Sequence, residues 1–266
     1  MKTAIIGTGN LGKSIAKGLI TTNAITSLYL TKRNVASIKE FEGYKNVFLT
    51  SNNSEAIENS DIIILAVQPA HFEQILNEIQ PLLKENHIII STITGFSIAK
   101  IEGIVGADNF IVRAMPNTAI AVGKSMTCLC GNTKGLERIK VAEAIFNRLG
   151  TSIVIPESQM QAATVVCASG IAFWMRMIRA TTQAAIQLGF DAKEAQELAM
   201  HTCDGAANLL ITTGNHPEQE IDKVTTPKGC TIEGLNEMEH QGLSSSLIQG
   251  MVTSYNKINT IKTEQL

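Results

Sequence analysis

The sequence predicts an α/β chain in two parts, a doubly wound parallel sheet over residues 1–156 and an all-helical part over 157–266. Three observations carry this. Short runs rich in Ile and Val alternate with helix-spaced segments through the first half, as strands buried on both faces of a parallel sheet require. After Pro156 no strand-like run remains. A glycine-rich turn, Gly7-Thr8-Gly9-Asn10-Leu11-Gly12, stands between the first strand-like run and the first helix-like one.

The elements follow in order. Lys2–Ile6 (KTAII) opens the sheet, and Leu11–Ile20 has helical spacing. Ser27–Leu30 (SLYL) is the second strand, and Asp61–Val67 (DIIILAV) is a central one that Pro69 ends abruptly. Phe72–Leu83 is helix-spaced, His87–Thr92 (HIIIST) and Phe110–Arg113 (FIVR) continue the sheet, and Ser152–Ile155 closes it. From Ser158 to Leu188 the chain reads as one helix, apolar almost all round (Val165, Val166, Ile171, Phe173, Trp174, Met175), and such a helix is expected to be covered by another subunit. Asp191 suits the N-cap of a helix running towards Gly214, and Pro217 suits the first turn of a short one. Thr231 reads as the N-cap of Ile232–His240, with Gly242 near its far end, and Ser244 as the cap of the last helix.

Composition excludes several classes. The 266 residues carry a net charge of -2 with Lys and Arg scattered, so no footprint for nucleic acid or an anionic membrane is expected. Five cysteines with no CxxC pair suggest neither a zinc site nor a disulfide framework, and no metal is expected. The apolar segment at the N-terminus is too short for a signal-peptide core, and no apolar run reaches the roughly 18 to 20 residues of a membrane span. A cytoplasmic protein is the expectation.

The glycine turn sits in the context that the dinucleotide-binding fingerprint of a Rossmann-like domain requires. Gly7 permits the tight turn, Gly9 lets backbone approach a pyrophosphate, and Gly12 lets the helix pack on the strand, while the helix start offers free N–H groups to phosphate. Thr8, Asn10 and Leu11 complete the cofactor loop. After the second strand comes Thr31-Lys32-Arg33-Asn34, with no acid to bind ribose hydroxyls. A hydroxyl and two cations suit a 2′-phosphate, so NADPH is the expected cofactor, with NADH possible. Asn53 and the strand end Ala66-Val67-Gln68-Pro69 lie where a further βα turn reaches the adenosine and ribose.

Three segments are candidates to face the nicotinamide. Arg113–Thr118 follows the last early strand, with Asn117 as a further cofactor contact. Ala168-Ser169-Gly170 makes a small polar notch in the long helix. Lys228-Gly229-Cys230-Thr231 combines the free N–H groups of a helix start with a hydroxyl, and so suits a small carboxylate.

GTGNLG at the start, AVQP after a central strand, RAMPNT, and above all KVTTPKGCTIEGL at 223–235 resemble the Δ1-pyrroline-5-carboxylate reductases, along essentially the whole chain. The resemblance implies NADPH-dependent reduction of a cyclic imine carboxylate to L-proline. It also implies a C-terminal half that interlocks with a second copy, with the active site at that interface. By motif match, Gly229, Cys230 and Thr231 hold the substrate carboxylate, with Ser169 and Gly170 beside them. The chain departs from the family at Gln68, where Lys is usual, at Lys228, where a second glycine is usual, and at Ala168, Ile171 and Phe173. Lys228 either offers an extra cation to a carboxylate or points to water.

Reducing C=N needs a hydride and a proton on nitrogen, and an iminium can arrive already protonated. No histidine falls in a catalytic spacing, and Thr231 is the candidate for contacting or helping to protonate the nitrogen. A β-hydroxyacid dehydrogenase would need a lysine on the long helix, and none occurs from Val141 to Ala192. A reductase of a different cyclic imine and a non-catalytic NADPH sensor are the other readings.

Overall fold

Ile62-Ile63-Ile64-Leu65 and Ile88-Ile89-Ile90 place apolar side chains at consecutive strand positions, so neither face of the sheet can be left to water. The computed structural model, which describes residues 1–23 and 25–264, resolves this demand as a twisted eight-stranded sheet covered by helices on both sides. In chain order the elements are β1 (Lys2–Ile6), α1 (Asn10–Thr21), β2 (Ser27–Thr31), β3 (Val47–Thr50), α2 (Asn53–Glu58), β4 (Ile62–Leu65) and α3 (Pro69–Ile79). There follow β5 (Ile88–Ser91), α4 (Ile98–Val105), β6 (Phe110–Met115), β7 (Ser125–Gly131), α5 (Thr133–Glu137), α6 (Ile139–Phe146) and β8 (Gly150–Val154). The helical part holds α7 (Met160–Ala163), α8 (Gly170–Gln187), α9 (Ala192–Thr213), α10 (Pro217–Val224), α11 (Cys230–His240) and α12 (Leu243–Glu264).

The strand order is β3-β2-β1-β4-β5-β6-β7-β8. Neighbours are parallel except β6 and β7, which are antiparallel. The order reverses between β1 and β4, and there Ile6 pairs with both Thr31 and Leu65, so three strands end level at one edge. On one face Ile5, Leu30, Ile64 and Ile90 pack against Ile15 and Leu19 of α1 and Ile145 and Phe146 of α6. On the other, Ile6, Ile63, Leu65 and Ile89 pack against Ile57, Phe72, Leu76 and Ile101. Period-2 alternation thus sends successive isoleucines of one strand into two cores.

Two strands escaped the sequence reading. β7 (SMTCLCG) mixes hydroxyls and thiols with apolar residues, and β3 is four residues long at an edge. One buried side chain anchors the region around β6. Asn132, 6% exposed, accepts from the backbone N–H of Ile111 (3.2 Å) and Gly135 (2.6 Å) through Oδ1. Its Nδ2 donates to Glu102 Oε1 (2.9 Å) and the carbonyls of Ala107 (3.2 Å) and Asn109 (3.1 Å).

Residues 1–169 form one compact unit and 170–261 a second. The change in composition at Pro156 therefore precedes the structural division by about one helical turn and a π-helical turn, Thr164–Ser169, which interrupts the expected single helix. Within the second unit α8 packs on α9 as a helical hairpin. Asp191 caps α9 as expected, accepting from Lys193 N (2.8 Å) and Glu194 N (3.0 Å), and Gly214 ends it in the left-handed conformation. Pro217 opens α10, with His216 as its N-cap in a capping box. Two expected caps need correction. α11 starts at Cys230 with Gly229 as N-cap, which puts Thr231 inside the first turn. α12 starts at Leu243, so Ser244 is within it and its hydroxyl donates instead to Glu239 (2.7 Å).

Among the described residues of the second unit, the buried ones are Gly170, Thr182, Ala195 and Ala199, all small. Trp174 and Met175 are each 57% exposed, and Leu188 and Ile211 about 80%. The expectation that no stretch is long and apolar enough to span a membrane also needs correction. The helical stretch Glu157–Gln187 meets that test by length and composition, with a mean hydropathy of 1.3 in its most apolar window. Alanine, threonine and glycine between the large apolar residues hid it from a reading of contiguous runs.

Two outcomes follow from this packing. Asn132→Ala strips partners from five groups, and chemical denaturation should show a loss of about 2–4 kcal/mol. His87, fully buried with Nδ1 accepting from Lys84 N (3.1 Å), is held below the ordinary histidine value first by burial and then by the Lys84 charge. The unfolded chain therefore takes up the proton first. Stability contributed by the neutral ring should be intact above about pH 6.5 and fall as the pH drops below it. Urea unfolding at about pH 7.5 and 5.5 checks this, and His87→Gln should flatten the difference.

Candidate functional site

Where β1, β2 and β4 end together, the chain must turn away from the sheet, and it does so around a cavity of about 570 Å3. This is the position at which open parallel sheets bind ligands, and the volume lies in the range of small-molecule pockets. The lining comes from four directions: Ile6 to Gly9 after β1, Thr31 to Asn34 after β2, Ser51 and Asn53 after β3, and Ala66 to Gln68 after β4. Helix α3 closes one wall with His71, Gln74, Ile75 and Glu78.

The glycine turn is shaped by close contacts. Gly7 has φ +92, and a Cβ there would lie 2.5 Å from Val67 Cγ1. A Cβ on Gly12 would lie 2.6 Å from the carbonyl oxygen of Gly7. At Gly9 a Cβ would meet nothing within 4 Å, so its backbone borders open space. Gly9 is also the N-cap of α1, no side chain caps that helix, and no acid stands in its first turn. Its N–H groups and positive dipole end are thus available to an anion. Thr8 Oγ1 is buried without a hydrogen-bond partner beside this turn. Gly7 N donates to Thr31 Oγ1 (3.3 Å) and Thr8 N to the Thr31 carbonyl (2.9 Å), which ties the first turn to the end of β2.

Lys32 and Arg33 extend from β2 onto the rim. Arg33 Nη2 lies 3.4 Å from His71 Nε2 across the cavity, and Asn53 Nδ2 donates to Glu78 Oε1 (3.0 Å). Of the positions singled out for a dinucleotide, Gly7, Thr8, Gly9, Thr31, Lys32, Arg33, Asn53, Ala66, Val67 and Gln68 are brought together here. Asn10, Leu11, Gly12 and Pro69 are not among the lining residues and adjoin them in sequence as the first residues of α1 and α3. The α3 residues were not read from the sequence. Their spacing of i, i+3, i+4 and i+7 after Pro69 was the available signal, on a helix whose apolar face was read instead.

Asn117 lies elsewhere in the same unit. Its Oδ1 accepts from Ala119 N (3.0 Å) and its Nδ2 donates to the Cys167 carbonyl (3.1 Å) in the π-helical turn. Arg113, expected to follow a strand and face a cleft, is inside β6 and buried. It donates to Glu157 Oε1 (2.7 Å), which also accepts from Ile98 N (2.7 Å). Cys167 and Cys128 sit with their sulfurs 3.8 Å apart. The bond from Cys128 lowers the Cys167 thiol to about 7, whereas that same contact and burial push Cys128 up.

Ser169 closes the π-helical turn at the end of the first unit, and Gly170 opens α8. In the second unit, Thr226-Pro227-Lys228-Gly229 is a β-turn closed by Gly229 N to the Thr226 carbonyl (2.9 Å). Pro227 fits its second position, and Lys228 takes the third with φ +60, where glycine is the usual residue. A Cβ on Gly229 would meet Thr226 Oγ1 at 2.4 Å, so this glycine is required by space. The first-turn N–H groups of α11, from Cys230 and Thr231 onwards, have no side-chain cap.

The family model that matches the helical part begins ahead of the division after Ser169. Residues 157–261 match the family model described as pyrroline-5-carboxylate reductase dimerisation, and residues 2–95 match NADP oxidoreductase coenzyme F420-dependent. Pyrroline-5-carboxylate reductase 1 of Dictyostelium discoideum is 45% identical over 98% of this chain, which spans 50% of that protein's length. Pyrroline-5-carboxylate reductase 2 of the same organism is 41% identical over 96% of this chain and 91% of its own. Among solved structures, Plasmodium falciparum pyrroline carboxylate reductase with NADP bound aligns with a TM-score of 0.85, 26% identity and 98% of both chains.

Replacing Lys228 by glycine removes a left-handed side chain from the turn. Thermal or chemical unfolding of Lys228→Gly should show a gain of about 1 kcal/mol.

Proposed function

The chain belongs to the pyrroline-5-carboxylate reductase family, and from this we infer that it reduces 1-pyrroline-5-carboxylate to L-proline with NADPH. The observation that carries the cofactor half is the cavity at the β1–β4 switch point, where an uncapped helix start and two rim cations converge with no free acid after β2. In this reading Gly7, Thr8 and Gly9 and the N–H groups of Asn10, Leu11 and Gly12 hold the pyrophosphate. The open space at Gly9 and the unpartnered hydroxyl of Thr8 fit that role. Lys32 and Arg33 take the 2′-phosphate, with Thr31 and Asn53 towards the ribose. Ala66, Val67 and Gln68 border the path to the nicotinamide end.

When bound, NADPH supplies the hydride for C=N reduction. The protein's own task is to orient the imine and to balance charge. Gly229, Cys230 and Thr231 hold the substrate carboxylate through free N–H groups and a hydroxyl, with Ser169 and Gly170 as small residues that leave room for the ring. Thr231, placed in the first turn, contacts the ring nitrogen, which can arrive as an iminium from solvent. We place the functional domain division near residue 156, with residues 157–266 serving substrate binding and association. The cover for Trp174, Met175 and their neighbours is a second copy of the chain, and the homo-oligomer works in the cytoplasm.

Mixing the protein with NADPH and 1-pyrroline-5-carboxylate should give rapid loss of dihydronicotinamide absorbance and formation of proline. Thr231→Val should lower kcat/KM by about 10-fold or more, the scale of one lost charge-assisted hydrogen bond. A six-membered imine carboxylate run alongside tests the ring size. Turnover of that ring alone would replace the substrate named here, and binding of NADPH without turnover of either imine would overturn the reductase reading.

A further inference from the structure

The rim of the nucleotide cavity carries a group that the family reading does not use. His71 stands at the third position of α3, after Pro69 and Ala70, and lines the cavity opposite the loop that follows β2. Its Nε2 lies 3.4 Å from Arg33 Nη2. A guanidinium is always a donor, so at this contact the imidazole presents a ring nitrogen, by its edge, towards the loop. An adenine base sandwiched between Arg33 and His71 would require the ring face instead.

The charge balance of the rim points the same way. Lys32, Arg33 and His71 line it, and the acid on the same wall, Glu78, accepts from Asn53 and sits two turns further along α3. Neither Lys32 nor Arg33 forms an ion pair among the described residues. Two cations and an imidazole edge converging from two elements match a phosphate monoester, a near-dianion with three acceptor oxygens.

We propose that His71 is a specificity residue for NADPH: with Lys32 and Arg33 it binds the 2′-phosphate from the α3 side, its Nε2 giving up the acceptor contact with Arg33 and, with the ring proton moved to or taken up at Nε2, donating to a phosphate oxygen. The inference rests on the cofactor reading above. It adds that discrimination against NADH is built from both walls of the cavity rather than from the β2 loop alone.

The test is calorimetric titration of the full-length protein with adenosine 2′,5′-bisphosphate and with adenosine 5′-monophosphate, which needs no turnover. His71→Ala should weaken the bisphosphate about tenfold and change the monophosphate by less than about twofold, as the loss of one charge-assisted bond requires. His71→Gln, which keeps a donor near the Nε2 position, should fall between wild type and alanine, and its retained binding shows that the wall is folded. The same ordering is expected in the ratio of NADPH to NADH dissociation constants. Equal weakening of both probes would make His71 a wall or base contact, and no weakening would make it a bystander; either overturns the proposal. A wild-type protein that binds the bisphosphate no better than the monophosphate would overturn the NADPH reading itself.

Discussion

Burial on both faces is the constraint on which the N-terminal unit depends. A parallel strand with isoleucine at consecutive positions has no face to give to water, so helices must return over both sides. Crossing to opposite faces forces the order of strands to reverse somewhere, and here it reverses between β1 and β4. The cavity is the gap left by that reversal. Its position owes nothing to the residues that line it, whereas its chemistry depends on them entirely.

Close contacts then decide where backbone is exposed. Gly7 and Gly12 are held by Val67 and by each other's neighbourhood, and this packing brings the start of α1 hard against the end of β1. Gly9 is the one member of the trio whose missing side chain faces open space. The same turn is bonded to Thr31, so the loop that carries Lys32 and Arg33 is registered to the helix start through two hydrogen bonds. A shift of β2 would move both halves of the anion site together.

Much of this was legible in the residues. β1 falls at Lys2–Ile6 as read, the glycine turn opens α1, and Asp191 and Pro217 start their helices. β7 was missed because Ser125, Thr127, Cys128 and Cys130 give no alternation of polar with apolar, although most of that strand is buried. The start of α11 was misplaced because a threonine outranks a glycine as a cap by type, whereas here the preceding turn leaves room only for glycine at 229. His71 and Glu78 went unread because a helix shows its apolar face in sequence and hides which side meets a cavity. The fates of Arg113 and Asn117 depend on Glu157 and Cys167, some 50 residues away, which no local pattern reveals.

The helical unit shows a different economy. It contains long helices, yet among its described residues the buried ones are four small side chains, so little of its apolar surface is covered by its own chain. With a second copy as the cover, its folding becomes a reaction of higher order. The midpoint of unfolding then rises with protein concentration, and a single melting temperature has meaning only beside the concentration at which it was taken.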